Sequence, residues 1–155
     1  MNKEFLLRAI HLAKENVKNG IGGPFGAVIV KDGKVVAEAT NTVTSSNDCT
    51  AHAEVNAIRK ACKELNTFSL EGCEIYASCE PCPMCLSAIY WSRIKKVYYA
   101  GDCEDAANAG FDDSFIYKEL LVDKENRSIK EIRCCEDEGK EPFILWNEKA
   151  DKTEY

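Results

Sequence analysis

Apolar residues recur at helical spacing near the start of the chain and then give way to strand-like runs. Between residues 3 and 18 they return every three or four positions, which predicts an amphipathic helix that ends at an Asn-Gly pair. Two apolar runs then flank a Lys-Asp-Gly-Lys turn in AVIVKDGKVVAEAT, a pattern typical of a β-hairpin. The polar stretch NTVTSSNDCT predicts a loop. A second helix is expected from Ala51 to Glu64, with Thr50 as its N-cap.

Short apolar strands alternate with helices in the rest of the chain. The expected elements are a strand at CEIYAS, a helix at PCPMCLSAIYWSR, a strand at KKVYYAG, a short helix at DDSFIYKELL, a last strand at SIKEIRCC and a helix from Glu141. This alternation implies crossover connections and a partly parallel sheet with helices on both faces. The sequence therefore predicts one three-layer α/β/α domain over residues 1–155.

Composition and charge narrow the class of protein. The chain has 155 residues, of which 45% are hydrophobic and 30% charged, as in soluble globular proteins. It has neither a signal peptide nor a long apolar segment, so we expect a cytoplasmic protein that does not bind membranes. The net charge of −6 repels phosphate backbones, so no nucleic-acid partner is expected. Nine cysteines, an odd number, predict reduced thiols with some of them bound to a metal.

Two of the predicted helix starts carry side chains that suit zinc. His52 stands at one of them, and Cys82 and Cys85 stand at the other, three residues apart on one helical face. The helix dipole favours anions at that end, which lowers the pKa of a thiol and assists metal binding. Three protein ligands leave the fourth tetrahedral position for water, as a catalytic site needs. The sequence therefore predicts a catalytic Zn²⁺ held by His52, Cys82 and Cys85.

Glu54 points to proton transfer at this metal. It lies in the same first helical turn as His52, from which a long side chain can reach a zinc-bound water and carry its protons. The pattern H-x-E…P-C-x-x-C is typical of zinc deaminases. We expect the nearby Cys79 to be a buried structural thiol; the alternative is a fourth ligand, which would close the site.

At these residues the chain resembles the cytidine deaminase-like superfamily. That resemblance implies a five-stranded mixed sheet sandwiched by helices, with zinc at two helix N-termini. The segments IGGPFGAVIV, TAHAEVNAIRKAC, SCEPCPMCLSAIYW and AGFDDSFIYKE and the terminal EY are similar to bacterial guanine deaminases. This likeness covers nearly the whole chain apart from residues 120–141. It implies a small-molecule purine base as the substrate.

The resemblance to bacterial guanine deaminases also implies roles for individual residues. Phe25 would stack on the purine, Asn41 would hydrogen-bond its edge, and Ala53 would also take part in substrate binding. Asp113 would be a second, catalytic carboxylate near the ring, and Tyr155 would close the pocket. Each of these residues has a plainer alternative, such as core packing for Phe25, a turn for Asn41 and a frayed end for Tyr155.

Asp113 also has a neighbour that leaves its assignment open. Asp112 and Asp113 both precede the predicted SFIYKE helix, and either of them could cap it. The choice of Asp113 as the site carboxylate therefore rests on the resemblance.

The implied reaction is the hydrolytic deamination of guanine to xanthine and ammonia. The resemblance implies attack of a zinc-bound hydroxide on C2, with Glu54 as the proton shuttle. The alternatives are a tRNA adenosine deaminase, which would need a basic surface, or another nucleobase or nucleoside deaminase. A further alternative is a zinc-binding module without catalysis, in which Glu54 would have no use. We also expect a homodimer, because the zinc helix carries Ile89, Tyr90 and Trp91, and a C-terminal helix and tail that pack on or swap with the partner subunit.

Overall fold

The computed structural model describes residues 1–154, so that the proposed lid residue Tyr155 lies outside the described residues. The strands are β1 (Gly26–Lys31), β2 (Lys34–Thr40), β3 (Cys73–Cys79) and β4 (Val97–Gly101). The helices are α1 (Lys3–Lys18), α2 (Val43–Ser46), α3 (Ala53–Glu64), α4 (Pro83–Trp91), α5 (Cys103–Asn108), α6 (Ser114–Leu121) and α7 (Glu141–Glu148). The chain divides into two compact units, one over Met1–Phe115 and one that begins at Ile116.

The first unit is built on a mixed sheet with strand order β2-β1-β3-β4. Strand β1 pairs antiparallel with both β2 and β3, whereas β3 and β4 are parallel and are joined through α4. The β1–β2 hairpin turns at Asp32 and Gly33, whose φ values of 49° and 74° are those of a two-residue type I′ turn. The predicted hairpin is therefore confirmed, with the turn where the Asp-Gly pair places it.

Helices cover both faces of this sheet, as the three-layer prediction required. Helix α1 packs on one face against Val28, Val30 and Tyr76. Helix α3 packs on the other face, where its small buried side chains let it approach Ala27 and Ile29 closely. Successive residues of β1 thus point to opposite layers, which explains why this strand reads as a continuous apolar run.

The expected fifth strand at SIKEIRCC is wrong. Residues 128–135 form no strand, and the sheet of the described residues has four strands rather than five. The apolar residues Ile129 and Ile132 are three apart, which does not match the two-residue period of a strand, and they are 78% and 86% exposed. Cys135 has a left-handed φ of 54°, a conformation that a strand does not use.

The connections also differ from the prediction in three places. Thr50 does not cap α3, because its hydroxyl donates to Asp48 Oδ1 at 2.6 Å, and His52 occupies the N-cap position instead. The predicted loop NTVTSSNDCT contains the one-turn helix α2. The short helix α5 was not expected at all; it begins with a capping box between Asp102 and Asp105.

The second unit, from Ile116, contains most of α6, two short 3₁₀ turns and α7. None of its described residues is buried. Along residues 1–154, no helix combines the length and the apolar character that crossing a bilayer requires.

Candidate active site

The starts of α3 and α4 bring the predicted metal ligands together. His52 is the N-cap residue of α3 and Cys82 the N-cap residue of α4, while Cys85 lies one turn further into α4. Neither of these N-cap side chains caps its own helix, and the two turn toward each other. The ligand atoms of these three residues all lie within 4.8 Å of one another.

The spacing of these three side chains fits a tetrahedral zinc ion. His52 Nδ1 lies 3.4 Å from Cys85 Sγ and 3.6 Å from Cys82 Sγ. Zinc bonds of about 2.0 Å to nitrogen and about 2.3 Å to sulfur hold tetrahedral ligands about 3.5 Å apart. Within residues 1–154 the cluster has only these three members, which leaves one position in a four-coordinate ion for a further ligand.

The two thiols of the cluster differ in acidity. A hydrogen bond from Cys85 and contact with His52 lower the pKa of Cys82 to about 4, despite partial burial. The same bond and burial raise the pKa of Cys85. The hydrogen bond to Cys82 also raises the pKa of His52. Binding of a dication would release the protons of the two thiols and of the imidazole, because the metal binds thiolates and a neutral imidazole.

Glu54 lies beside the ligands and is almost fully buried, with 6% of its surface exposed. Cys85 Sγ donates to Glu54 Oε2 at 3.4 Å, so the carboxylate is in direct contact with the cluster. Burial is the main reason that the pKa of Glu54 is raised. A carboxyl group with a raised pKa exchanges its proton at a higher pH than a solvated one does, as a proton carrier needs.

Cys79 lies outside the cluster. Its thiol is buried at the end of β3 and donates to the carbonyl oxygen of Asp102 at 3.3 Å. Burial raises the pKa of Cys79 to about 11, which disfavours the thiolate that a metal needs. This placement agrees with the expected structural role. All nine cysteines of the described chain are free, as the sequence predicted.

A cavity of about 570 Å³ opens over this cluster, a size that suits a small molecule. Among residues 1–154, all of its lining residues belong to the first unit. They are Gly20, Gly22, Gly23, Phe25, Asn41, Val43, Thr44, His52, Glu54, Glu80, Cys82, Cys103, Ala106, Phe111, Asp112 and Asp113.

The structure brings Phe25 and Asn41 into the cavity lining but places Ala53 elsewhere. Phe25 meets Phe111 edge-on, with ring centroids 5.0 Å apart and planes at 87°. Asn41 Oδ1 accepts from the backbone N–H groups of Gly23 at 3.3 Å and Val43 at 3.2 Å. Ala53, the first residue of α3, has a side chain that is fully buried in the core, so any role in substrate binding rests on its backbone.

The two aspartates make different contacts in the structure. Asp112 Oδ1 accepts from the backbone N–H of Ser114 at 2.9 Å, at the start of α6. Asp113 is half-buried in the cavity wall, and burial and the nearby Cys82 raise its pKa. Both aspartates line the cavity, and Asp113 as the site carboxylate stays a prediction.

The lining residues that were not anticipated include Phe111, Glu80 and Cys103. Phe111 follows the left-handed Gly110, whose φ is 91°, and its N–H donates to the carbonyl oxygen of Ala106 at the end of α5. A glycine followed by an aromatic residue and two aspartates was the available signal. The resemblance picked out this segment, but the place of Phe111 in the cavity wall could not be inferred because α5 was not predicted.

A family model, the cytidine and deoxycytidylate deaminase zinc-binding region, matches residues 1–101. The chain belongs to this family. The matched region contains His52, Glu54, Cys82 and Cys85 and ends before Asp113. Membership in a zinc-binding family, together with the fit of the three ligands, confirms zinc as the predicted cofactor.

Relatives of this deaminase differ in how much of the chain they match. Guanine deaminase of Bacillus subtilis is 60% identical over 156 residues, which covers 100% of both chains. An X-ray structure of guanine deaminase from Bacillus subtilis covers 100% of this chain and 99% of that one, at 59% identity and a TM-score of 0.97. The tRNA-specific adenosine deaminase of Aquifex aeolicus is 48% identical over 101 residues, or 64% of this chain and 66% of its own.

Proposed function

We propose that this protein is a zinc-dependent aminohydrolase that converts guanine and water to xanthine and ammonia. The observation that carries the proposal is the full-length likeness to guanine deaminase, which continues beyond residue 101, where the zinc-binding region ends. The structure supports it with a buried carboxylate, a zinc-type cluster and an aromatic wall around a single cavity.

The ligand cluster and Glu54 divide the chemistry. Zinc bound by His52, Cys82 and Cys85 would supply a Lewis acid that makes water acidic enough to react at neutral pH. Glu54, in contact with this cluster, accepts the proton that the water loses. Glu54 then delivers this proton to the ring nitrogen beside C2. It next takes the proton of the new hydroxyl group on C2 and passes it to the departing amine, which leaves as ammonia as the C2 carbonyl forms.

Phe25 and Asn41 would recognise the base. The ring of Phe25 offers an apolar face for stacking, and Phe111 supports it from the side. Within residues 1–154, both hydrogen bonds of the Asn41 side chain go to Oδ1, which leaves its amide nitrogen to donate to an acceptor on the purine edge. Burial inside the cavity makes such a bond selective, since an unmatched polar group would be left without a partner.

Asp113 would act as the second carboxylate near the ring. It lines the cavity, and its raised pKa places its proton exchange closer to neutral pH than that of a solvated aspartate. From this position it can accept a hydrogen bond from an N–H group of guanine. Tyr155, which the resemblance implies as an aromatic lid, remains a prediction.

A tRNA adenosine deaminase is the second candidate, favoured by the 48% identity to such an enzyme over 101 residues. The charge of the site disfavours it. The described residues that line the cavity include the acidic Glu80, Asp112 and Asp113 but neither lysine nor arginine. A polynucleotide substrate needs cations for its phosphates. A zinc-binding module without catalysis is a third candidate, but it leaves a buried Glu54 unexplained.

Ammonia release separates these three functions. Zinc-loaded protein would be incubated with guanine, cytosine, cytidine and tRNA in parallel, and ammonia would be measured together with the loss of each substrate. We expect release with guanine and little with the others. Release with tRNA alone would favour the second candidate, and none with any substrate would favour the third.

The proposal extends to the setting of the enzyme. We place it in purine metabolism in the cytoplasm, as a homodimer of chains that each form one deaminase domain. Helix α4 supports the dimer, because Tyr90 and Trp91 are 73% and 68% exposed there. Packing or swapping of the C-terminal helix and tail with the partner belongs to the same proposal. Light scattering coupled to size-exclusion chromatography would give the number of chains.

A further inference from the structure

Asn16 is a buried polar residue on α1 that does not line the cavity. Only 2% of its surface is exposed, on the helix face that also buries Ala9 and Ala13. Its amide Nδ2 donates two hydrogen bonds, to the carbonyl oxygen of Gly23 at 2.8 Å and to that of Asn41 at 2.9 Å. One side chain on α1 thus ties together two backbone segments that are far apart in the sequence.

These two segments form a junction, residues 21–25 and 41–43, that carries the proposed base-binding side chains. The N–H of Asn41 donates to the carbonyl oxygen of Phe25 at 3.1 Å, and the N–H of Gly23 donates to Asn41 Oδ1 at 3.3 Å. The backbones meet so closely at Gly22 that a Cβ there would lie 2.3 Å from the carbonyl oxygen of Asn41. The two backbone segments of the junction are therefore closely packed, and the distance between them determines the positions of Phe25 and Asn41.

The buried amide of Asn16 is unfavourable for the stability of α1 taken by itself. Within residues 1–154, its Oδ1 has no hydrogen-bond partner. Burial of a polar atom without a partner is destabilising, because the hydrogen bonds to water are lost and not replaced. An alanine would suit both the helix and the neighbouring Ala9 and Ala13 better. The amide Nδ2 donates two hydrogen bonds that an alanine could not make, and both acceptors belong to the junction.

We propose that Asn16 is a positioning residue for substrate binding, which acts through the junction on Phe25 and Asn41 and touches no substrate itself. This inference rests on the proposed function. Its consequence is a specific kinetic signature. Loosening the junction weakens the hold on the purine ring, whereas the zinc ligands and Glu54 stand on other elements and keep their arrangement.

The test is Asn16→Ala, with Asn19→Ala as the matched control at the exposed C-cap of the same helix. With guanine as the substrate, we expect Asn16→Ala to raise KM about tenfold, the worth of one or two buried hydrogen bonds. Its kcat should change by less than about threefold, since binding rather than chemistry is affected. The control should match the wild type, and every variant should hold one zinc per chain.

A merely structural role predicts a different outcome. If Asn16→Ala lowers the melting temperature but leaves KM at the wild-type value, the positioning role is refuted. Loss of zinc together with activity would refute it as well, because the damage would then extend beyond the junction.

Nuclear magnetic resonance keeps the inference testable if Asn16→Ala does not fold. In wild-type protein titrated with xanthine, the side-chain amide signal of Asn16 should shift together with the backbone amide signals of Gly23 and Asn41. A side-chain signal that stays unmoved while the other two shift would overturn the proposal.

Failure of the proposed function would be seen separately, as no ammonia from guanine with the wild type. In that case the junction is read without ligand, from the backbone amide shifts of Gly23 and Asn41 in Asn16→Ala. Unshifted signals would refute the inference, and shifted ones would uphold the control of the junction by Asn16.

Discussion

The two units differ in the burial of their apolar side chains: residues 1–115 bury many of them, whereas residues 116–154 leave them largely exposed. The first unit buries its apolar residues in two layers around a sheet, with Ile75 and Tyr76 facing opposite sides. In the second unit none of the described residues is buried, and Leu145 on α7 is 66% exposed. Its ion pairs, such as Arg127 with Glu131, lie on the surface, where each contributes about 0–1 kcal/mol.

The difference in burial suits the first unit to catalysis and the second unit to contacts with a partner subunit. A catalytic site needs side chains that are held by packed elements, and every described residue that lines the cavity belongs to the first unit. The helices of the second unit are short, and helices of about eight residues are marginal in water without packing. The exposed apolar residues of α7 are thus suited to an interface, in line with the proposed dimer.

The largest effect is expected at the metal. Cys82→Ser should abolish both zinc binding and deamination, because serine cannot supply the thiolate that also neutralises the ion. Cys79→Ser is the matched control, since its thiol lies outside the cluster and should leave zinc at one per chain. Elemental analysis of both purified variants decides, and equal zinc loss in the two would show that the ligand set is wrong.

The next largest effect is expected for Glu54→Gln, which tests whether this carboxylate of the first unit carries the protons of the reaction. Zinc should stay bound, because Glu54 is not a ligand, while kcat should fall by about two to four orders of magnitude. Turnover of guanine and zinc content would be measured on the same preparation. Near-normal turnover would remove Glu54 from the mechanism.

The two aspartates near the end of the first unit provide a matched pair. Asp113→Asn should lower kcat/KM for guanine by about tenfold to a hundredfold, since it removes the proposed second carboxylate. Asp112→Asn should have a smaller effect, because its Oδ1 is engaged with Ser114 and an asparagine can keep that bond. A larger loss in Asp112→Asn would reverse the assignment.

Deletion of residues 152–155 would test the separation of chemistry from assembly most directly. If Tyr155 covers the site, zinc binding should survive, and kcat/KM should fall by about tenfold through the loss of an aromatic contact. A mixed dimer of truncated and Glu54→Gln chains would then show whether the tail serves its own subunit or its partner. Full turnover in the truncated protein would confine the active site to the first unit.

The smallest effect on activity should come from core and surface apolar residues. Ile75→Ala should lower the free energy of unfolding by about 2–5 kcal/mol, because it empties a fully buried position. Leu145→Ala should lower it by less than about 0.5 kcal/mol if α7 stays in solvent. Chemical denaturation measures both. A concentration-dependent loss in Leu145→Ala would show that α7 is buried in an assembly.

Local patterns account for what the sequence determined by itself. Helix α1, the β1–β2 hairpin and α7 depend on residues close together in the chain, and their prediction is confirmed. Family membership and the α/β class followed from short motifs of the same kind. The fifth strand was wrong because a strand also needs a neighbour to pair with, which no local pattern guarantees.

Tertiary structure decided the contacts between residues distant in the chain. It brought His52 within 3.6 Å of Cys82, thirty positions later, and made Phe111 a neighbour of Phe25. It also turned Asn16, an ordinary helix residue in the sequence, into the donor that joins two loops. Such contacts depend on how helices pack on a sheet, because packing is set by the shape and burial of many side chains at once.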